Sequence, residues 1–158
     1  MRAKVRLDAI KRLRDETGAP VGDVRSALEA ADGDEAKARA LLKQRGAQVA
    51  NKRQGRATGQ GRIEAYIHHD GRLGALVEVN CESDFVARTD EFRQLCKDLA
   101  MQVAAMEASD VDGLMKQPFV KDAGTTIGDL LKALMAKTGE KVVIKRFMKF
   151  ALGDSAVR

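Results

Sequence analysis

The chain has 158 residues, 44% hydrophobic and 32% charged, which suits a folded protein of one or two domains. Only 4% of the residues are aromatic and none is Trp, so a core must be mostly aliphatic. The formal charge of +5 is uneven: residues 1–62 carry 15 Lys and Arg against 8 Asp and Glu, and the remainder carries 13 against 15. That excludes a uniformly basic domain and leaves a basic arm or surface in the first part of the chain.

No run of about 18 apolar residues occurs, so a membrane-spanning helix is not expected. Met1-Arg2-Ala3-Lys4-Val5-Arg6 leads into an amphipathic pattern rather than a signal-peptide core, and a soluble, cytoplasmic chain is the expectation. Cys81 and Cys96 are too few and too far apart for a disulfide framework or a paired-thiolate metal motif, and are expected to be reduced and partly buried.

In residues 4–16, Val5, Ala9 or Ile10, and Leu13 recur at helical spacing, and Thr17-Gly18-Ala19-Pro20 ends that helix. Pro20 suits the start of a second helix with Val21, Val24, Ala27 and Leu28 as its apolar stripe. After the turn Asp32-Gly33-Asp34, a third helix carries Ala38, Leu41 and Leu42, is capped by Asp32 or Asp34, and ends near Gly46. Three short helices joined by tight turns pack only as a compact bundle, and residues 1–46 resemble the ubiquitin-associated (UBA-like) three-helix domain. Residues 47–62, with Lys52, Arg53, Arg56, Arg62 and no acidic residue, read as a basic linker or a frayed continuation of the third helix.

Residues 63–158 read as an α+β domain. Ile63, Ala65 and Ile67 alternate, Asp70-Gly71 marks a hairpin turn, and Leu73, Ala75, Val77 and Val79 alternate again, giving two antiparallel strands. From Thr89, a plausible cap, the period turns helical through Phe92, Leu95, Cys96, Leu99, Val103 and Met106, ending near Ala108. Residues 109–125 are turn-rich, with Phe119 and Val120 expected to tuck back on the core. Thr126-Ile127-Gly128-Asp129 resembles a capping box that opens a helix through Leu130, Leu131 and Leu134, closed by Gly139. A third strand follows over Val142–Phe150, whose apolar positions change parity between Ile144 and Phe147. A bulge, or apolar groups on both faces with the second face covered by another subunit, would account for that. The fold class is thus a three-helix bundle, a linker, and a small antiparallel sheet of about three strands packed with helices.

Chemistry-bearing constellations are sparse. His68, His69, Asp70 and Cys81 fall near the hairpin, but adjacent strand histidines point to opposite faces and no third or fourth ligand stands at metal spacing, so no metal site is expected. Neither a general base nor an orienting group is placed for a thiol nucleophile. No glycine-rich phosphate loop follows a strand, which argues against direct nucleotide binding and against a bound cofactor. The linker contains no aromatic on which bases could stack, so a solvated arm is favoured over an RNA contact. What remains is Asn80-Cys81-Glu82-Ser83-Asp84-Phe85-Val86-Ala87-Arg88, where a strand pattern gives way to a helix pattern across a short connection. Taken alone, Phe85 reads equally as a core residue or as an outward projection offered to a partner.

The run from Ile67 through Arg88 resembles the central signature of the elongation factor Ts family. Leu13-Arg14-Asp15-Glu16-Thr17-Gly18-Ala19 with Ser26-Ala27-Leu28 is similar to that family's N-terminal motif, and Gly139–Arg146 to its closing strand. The resemblance implies a guanine-nucleotide exchange factor, without covalent chemistry, for the GTPase elongation factor Tu. It implies that Ser83-Asp84-Phe85-Val86, Thr-Asp-Phe-Val in the family, meets the GTPase beside its Mg²⁺ and phosphates and displaces the Mg²⁺. It also implies a contact through Arg14, Val21 and Gly22 of the N-terminal domain. Two methionines are common in the family at positions 21 and 22, and a Lys-Lys pair at Arg25-Ser26, so that contact is expected to be smaller here. Many members carry a duplicated core or a helical insertion where this chain has one short core, which implies a homodimer through the core domain. Two other readings are a non-catalytic adaptor acting through the UBA-like bundle and an RNA-binding accessory of translation acting through Lys52–Arg62.

Overall fold

A computed structural model describes residues 5–155; Met1–Lys4, where the first helix was expected to begin, lie outside the described residues. The chain forms two compact units, one running up to Gly55 with Lys132–Gly139, the other taking Arg56–Leu131 and the chain from Glu140 onward. Among the described residues no helix is long and apolar enough to cross a membrane.

The first unit contains α1 (Leu7–Thr17), α2 (Val21–Ala30) and α3 (Glu35–Lys52). Gly18 ends α1 in the left-handed conformation, at φ 65°, and its N–H returns to Arg14 O. Asp34 caps α3, its Oδ1 accepting from Ala36 N–H and Lys37 N–H. The helical stripes meet in a core of Ala9, Leu13, Val24, Ala27, Leu28, Ala38 and Leu42, while Val21, expected on the stripe of α2, is exposed in its first turn. Helix α3 runs through Gly46 to Lys52, further than expected. A glycine in a helix costs about 1 kcal/mol, and the Ala and Gln that follow are good helix formers, so the break does not occur there. With β1 starting at Gln60, the segment between elements shortens from the expected 47–62 to residues 53–59.

The second unit is built on a three-stranded antiparallel sheet in the order β1 (Gln60–Ile67), β2 (Leu73–Cys81), β5 (Val142–Ala151), with α5 (Asp90–Ala105) packed on it. Between them come α4 (Asp84–Ala87), α6 (Val111–Lys116), the small β3 (Pro118–Phe119) and β4 (Asp122–Thr126) hairpin, and the start of α7 (Ile127–Thr138), which from Lys132 belongs to the first unit. The hairpin closes as the sequence suggests, with His68 N–H on Leu73 O and Gly71 at φ 70°. Gly61 sits at φ 153°, and a Cβ there would lie 2.2 Å from Val79 O, so the close approach of β1 to β2 depends on this glycine.

Pairing between β2 and β5 shifts from Glu78↔Arg146 to Val79↔Ile144, leaving Lys145 as the extra residue of a bulge. That bulge resolves the parity change: Ile144 opposes Val79 and Phe147 opposes Val77, so both stand on the same face as these fully buried valines. Phe92, Leu95, Cys96, Leu99 and Val103 of α5 cover that face. Helix α5 stops at Ala105, and Met106 is extended and exposed. In the segment 109–125 Phe119 is buried as expected, but Val120 is 44% exposed. Its N–H is instead held by Oε1 of the fully buried Gln102, whose Nε2 donates to Gln117 Oε1 and Pro118 O. The capping box is formed, with Asp129 N–H on Thr126 Oγ1 and Thr126 N–H on Asp129 Oδ2.

The opposite face of the sheet is apolar and uncovered. Ile63, Ala65 and Ile67 do share a face, and it is the one turned away from α5, opposite Glu78, Leu76 and Gly74. Ile63 (63%), Ile67 (68%), Leu76 (45%), Met148 (39%) and Phe150 (51%) are exposed there.

Candidate functional site

Where β2 leaves the sheet, Ser83 is extended and its Oγ accepts Val86 N–H at 3.3 Å, capping the single turn of α4. Thr89 closes that turn and opens α5: its Oγ1–H donates to Val86 O at 2.8 Å while its Oγ1 accepts Phe92 N–H at 3.2 Å. The hydrophobic periodicity then decides which side chains turn inward. Val86 is buried and Phe92 fully so, whereas Phe85 is 82% exposed. Asp84 is half-exposed, its Oδ2 3.0 Å from Arg88 Nη2 one helical turn on. Of the four residues singled out in this stretch, Ser83 and Val86 hold the turn, and Asp84 and Phe85 are displayed by it.

Two carboxylates clasp the connection from both sides. Glu140, in the turn between α7 and β5, accepts Ser83 N–H on Oε2 at 2.9 Å and the Ser83 hydroxyl on Oε1. Glu82 reciprocates, its Oε1 accepting Lys141 N–H at 2.6 Å. Glu82 also meets Arg56 at 3.4 Å. Sequence reasoning missed this clasp, because the partners are 57 and 59 residues apart and lie in irregular backbone.

Arg14 stands in the last turn of α1 and Val21 and Gly22 in the first turn of α2, on either side of the tight turn at Gly18. All three are exposed, Val21 at 49%. They belong to the first unit, and Ser83–Val86 to the second.

The hairpin histidines are placed otherwise than a metal site requires. His68 Nδ1 lies 3.0 Å from Tyr66 Oη, and the His69 ring is tilted against the His68 ring. Among the described residues no group of His, Cys, Asp and Glu is arranged to hold a metal ion. Cys81 and Cys96 are free thiols and are fully rather than partly buried. Burial pushes Cys81 up to about 11, helped by the nearby Glu140 carboxylate, and burial pushes Cys96 up to about 12. Both shifts favour the neutral thiol over the nucleophilic thiolate at neutral pH.

Fold and site together define a class: an α+β protein with a three-helix N-terminal unit, displaying one large aromatic from a capped single turn at the rim of its sheet. The family model described as elongation factor TS matches residues 82–158, a span that takes in the displayed turn and the closing strand. Elongation factor Ts of Rubrobacter xylanophilus is 41% identical, the match covering 92% of this chain and 98% of the relative. Those of Coprothermobacter proteolyticus and Thermotoga neapolitana are 40% and 38% identical, covering 92% and 96% of this chain and 96% and 98% of the relatives. The chain belongs to the elongation factor Ts family, and so to the elongation factors of protein biosynthesis. The three alignments span 191, 190 and 194 positions against 158 residues here, so these relatives carry segments that this chain lacks.

Proposed function

We propose that the chain is a guanine-nucleotide exchange factor that binds elongation factor Tu·GDP in the cytoplasm, dislodges its Mg²⁺ and releases GDP. The observation that carries this reading is the exposure of Phe85, 82%, on a turn whose every other anchor is fixed. A free protein gains nothing by displaying a large aromatic on a rigid mount; a partner surface does.

A GTPase holds its nucleotide largely through Mg²⁺ and backbone N–H groups on the phosphates, so a small displacement of either weakens it sharply. Phe85 acts as the wedge. Asp84 accepts hydrogen bonds from partner donors once its exposed pairing with Arg88 is exchanged, and keeps the wedge in register. By linkage, a factor that prefers the empty GTPase must be bound more weakly in the presence of GDP by the same ratio. No covalent step is involved. Arg14, Val21 and Gly22 supply a second contact with the GTPase.

The uncovered sheet face supports a homodimer. Its occupant is a second copy: the five large side chains from Ile63 to Phe150 form one contiguous apolar face with the ion pair Glu78–Arg146 at its margin. A two-fold axis makes such a face self-complementary.

Release of labelled GDP from elongation factor Tu tests the exchange reading. Phe85→Ala should leave the melting temperature unchanged and slow release by about 10- to 100-fold, the equivalent of losing a side chain buried only in the complex. Release at the wild-type rate by that variant overturns the reading.

A further inference from the structure

We propose that Glu140 is the positioning residue of the exchange loop, the group that presets Phe85 and Asp84 before any partner arrives. The inference rests on the exchange reading above and adds a device to it.

A helix of four residues, such as Asp84–Ala87, cannot hold its own shape, because nucleating a turn fixes several dihedrals for a single hydrogen bond. Its geometry must come from groups outside it. At the C-terminal end Thr89 and the buried Val86 supply them. At the N-terminal end the cap is the Ser83 hydroxyl, and a hydroxyl is an ambiguous cap: it rotates freely, and a rotated serine donates to nearby carbonyls instead of accepting from an N–H. Glu140 removes the ambiguity. It takes the hydroxyl proton on Oε1, which leaves the Oγ lone pairs to face Val86 N–H, and it takes Ser83 N–H on Oε2. One carboxylate thus fixes both the backbone and the rotamer of the residue from which the displayed turn departs.

Glu140 can do this because it is itself fixed. It follows Gly139, which is in the left-handed conformation at φ 78°, and it precedes Lys141, whose N–H is held by Glu82. Each side of the crossing therefore carries a carboxylate that accepts a backbone N–H from the other. The clasp joins the entrance of β5 to the exit of β2, and these strands are paired at Cys81↔Val142, next to it. A rigid sheet pair is in this way extended by two residues into the loop. Exchange needs that rigidity: a wedge misplaced by about 1 Å can lose up to about a hundredfold in rate.

The test uses the full chain with Glu140→Gln, Ser83→Ala and the double variant. Gln keeps the shape of Glu140 but offers an amide where Ser83 N–H or hydroxyl needs an acceptor. Each single variant should slow labelled-GDP release from elongation factor Tu by about tenfold, consistent with loss of a hydrogen bond to a charged group. The double variant should lose less than the product of the single losses, since the hydroxyl bond is common to both changes while the Ser83 N–H bond depends on Glu140 alone. Amide hydrogen exchange distinguishes positioning from general stability: protection at Ser83 through Ala87 should fall while that of β2 and α5 is retained. Multiplying losses, or equal loosening of β2 and α5, overturns the positioning role. Wild-type release by Glu140→Gln while Phe85→Ala is slow also overturns it and leaves the exchange reading standing. Wild-type release by both variants removes the two together.

Discussion

Ile67→Lys tests the role of the uncovered sheet face. Ile67 is 68% exposed in the single chain, and its side chain lies across Gly74 of the neighbouring strand, where an added Cβ would be 2.8 Å from Ile67 Cδ1. Glycine at 74 lets the isoleucine lie flat, which widens the smooth area available to a second copy. Full burial of such a side chain stabilises by about 1.5–3 kcal/mol, so burying the exposed two-thirds contributes about 1–2 kcal/mol per copy. A two-fold interface contains the residue twice, so the variant removes about 2–4 kcal/mol before any cost of burying the lysines, or about 30- to 1000-fold in dimer affinity. The single chain should be barely affected, within about 0.5 kcal/mol, because the substituted side chain is solvated there. Sedimentation velocity across the micromolar range measures the dimer, and thermal unfolding at low concentration checks the monomer. A wild-type chain that stays monomeric throughout, or an Ile67→Lys chain that dimerises as tightly as wild type, refutes the assignment of this face to a second copy.

Two further outcomes follow from the core of the second unit. Gln102→Leu fills nearly the same volume but strands Val120 N–H and Pro118 O, so it should destabilise the chain by about 2–4 kcal/mol in denaturant titrations and loosen residues 117–121 first. The two buried thiols should resist thiol reagents in the native chain and react once it is unfolded. Because burial raises both native values above the ordinary thiol value of 9.0, the native state keeps protons that the unfolded state releases. Their contribution to stability is therefore complete below pH 9 and is lost as pH rises towards 11 to 12, which alkaline unfolding midpoints of wild type and a Cys81→Ala, Cys96→Ala variant would report.

Where hydrophobic period and local chemistry agree, the fold is legible from sequence. Leu13, Val24, Leu28, Ala38 and Leu42 recur at helical spacing and form the core of the first unit. Thr89 and the Thr126–Asp129 pair cap as their side chains dictate. In β5 the parity change between Ile144 and Phe147 signals the bulge, although two explanations fit it; the structure contains both, a bulge at Lys145 and an apolar outer face. Alternation in β1 places Ile63, Ala65 and Ile67 together, but period two cannot say which face meets α5. The answer comes from register with β2, where Val77 and Val79 take the covered side and so assign the other side to the isoleucines. The site divides the same way. Phe85 can be singled out because it stands on a short connection between strand and helix, whereas the clasp at Glu140 beneath it, a contact across 57 residues, carries no local signature.

Strand β2 carries an apolar patch at one end and the root of the displayed turn at the other, and its geometry keeps them apart. Of its outward residues, Gly74 and Leu76 lie in the apolar patch near the hairpin end, opposite Ile67 and Ala65 on one side and Phe150 and Met148 on the other. Its last residue, Cys81, leads into the displayed turn at the other end. A strand rises about 3.3 Å per residue, so the centre of the patch and the root of the loop are separated by roughly 15–25 Å along β2. A second copy seated on the patch therefore leaves Phe85 free for the GTPase, and each copy in the dimer keeps its own loop. Ile67→Lys should accordingly lower dimer affinity while exchange per chain is retained, and Phe85→Ala should do the reverse. If either substitution abolished both properties, the two surfaces would be coupled through the sheet, and the rigid central strand on which this division rests would be the wrong description.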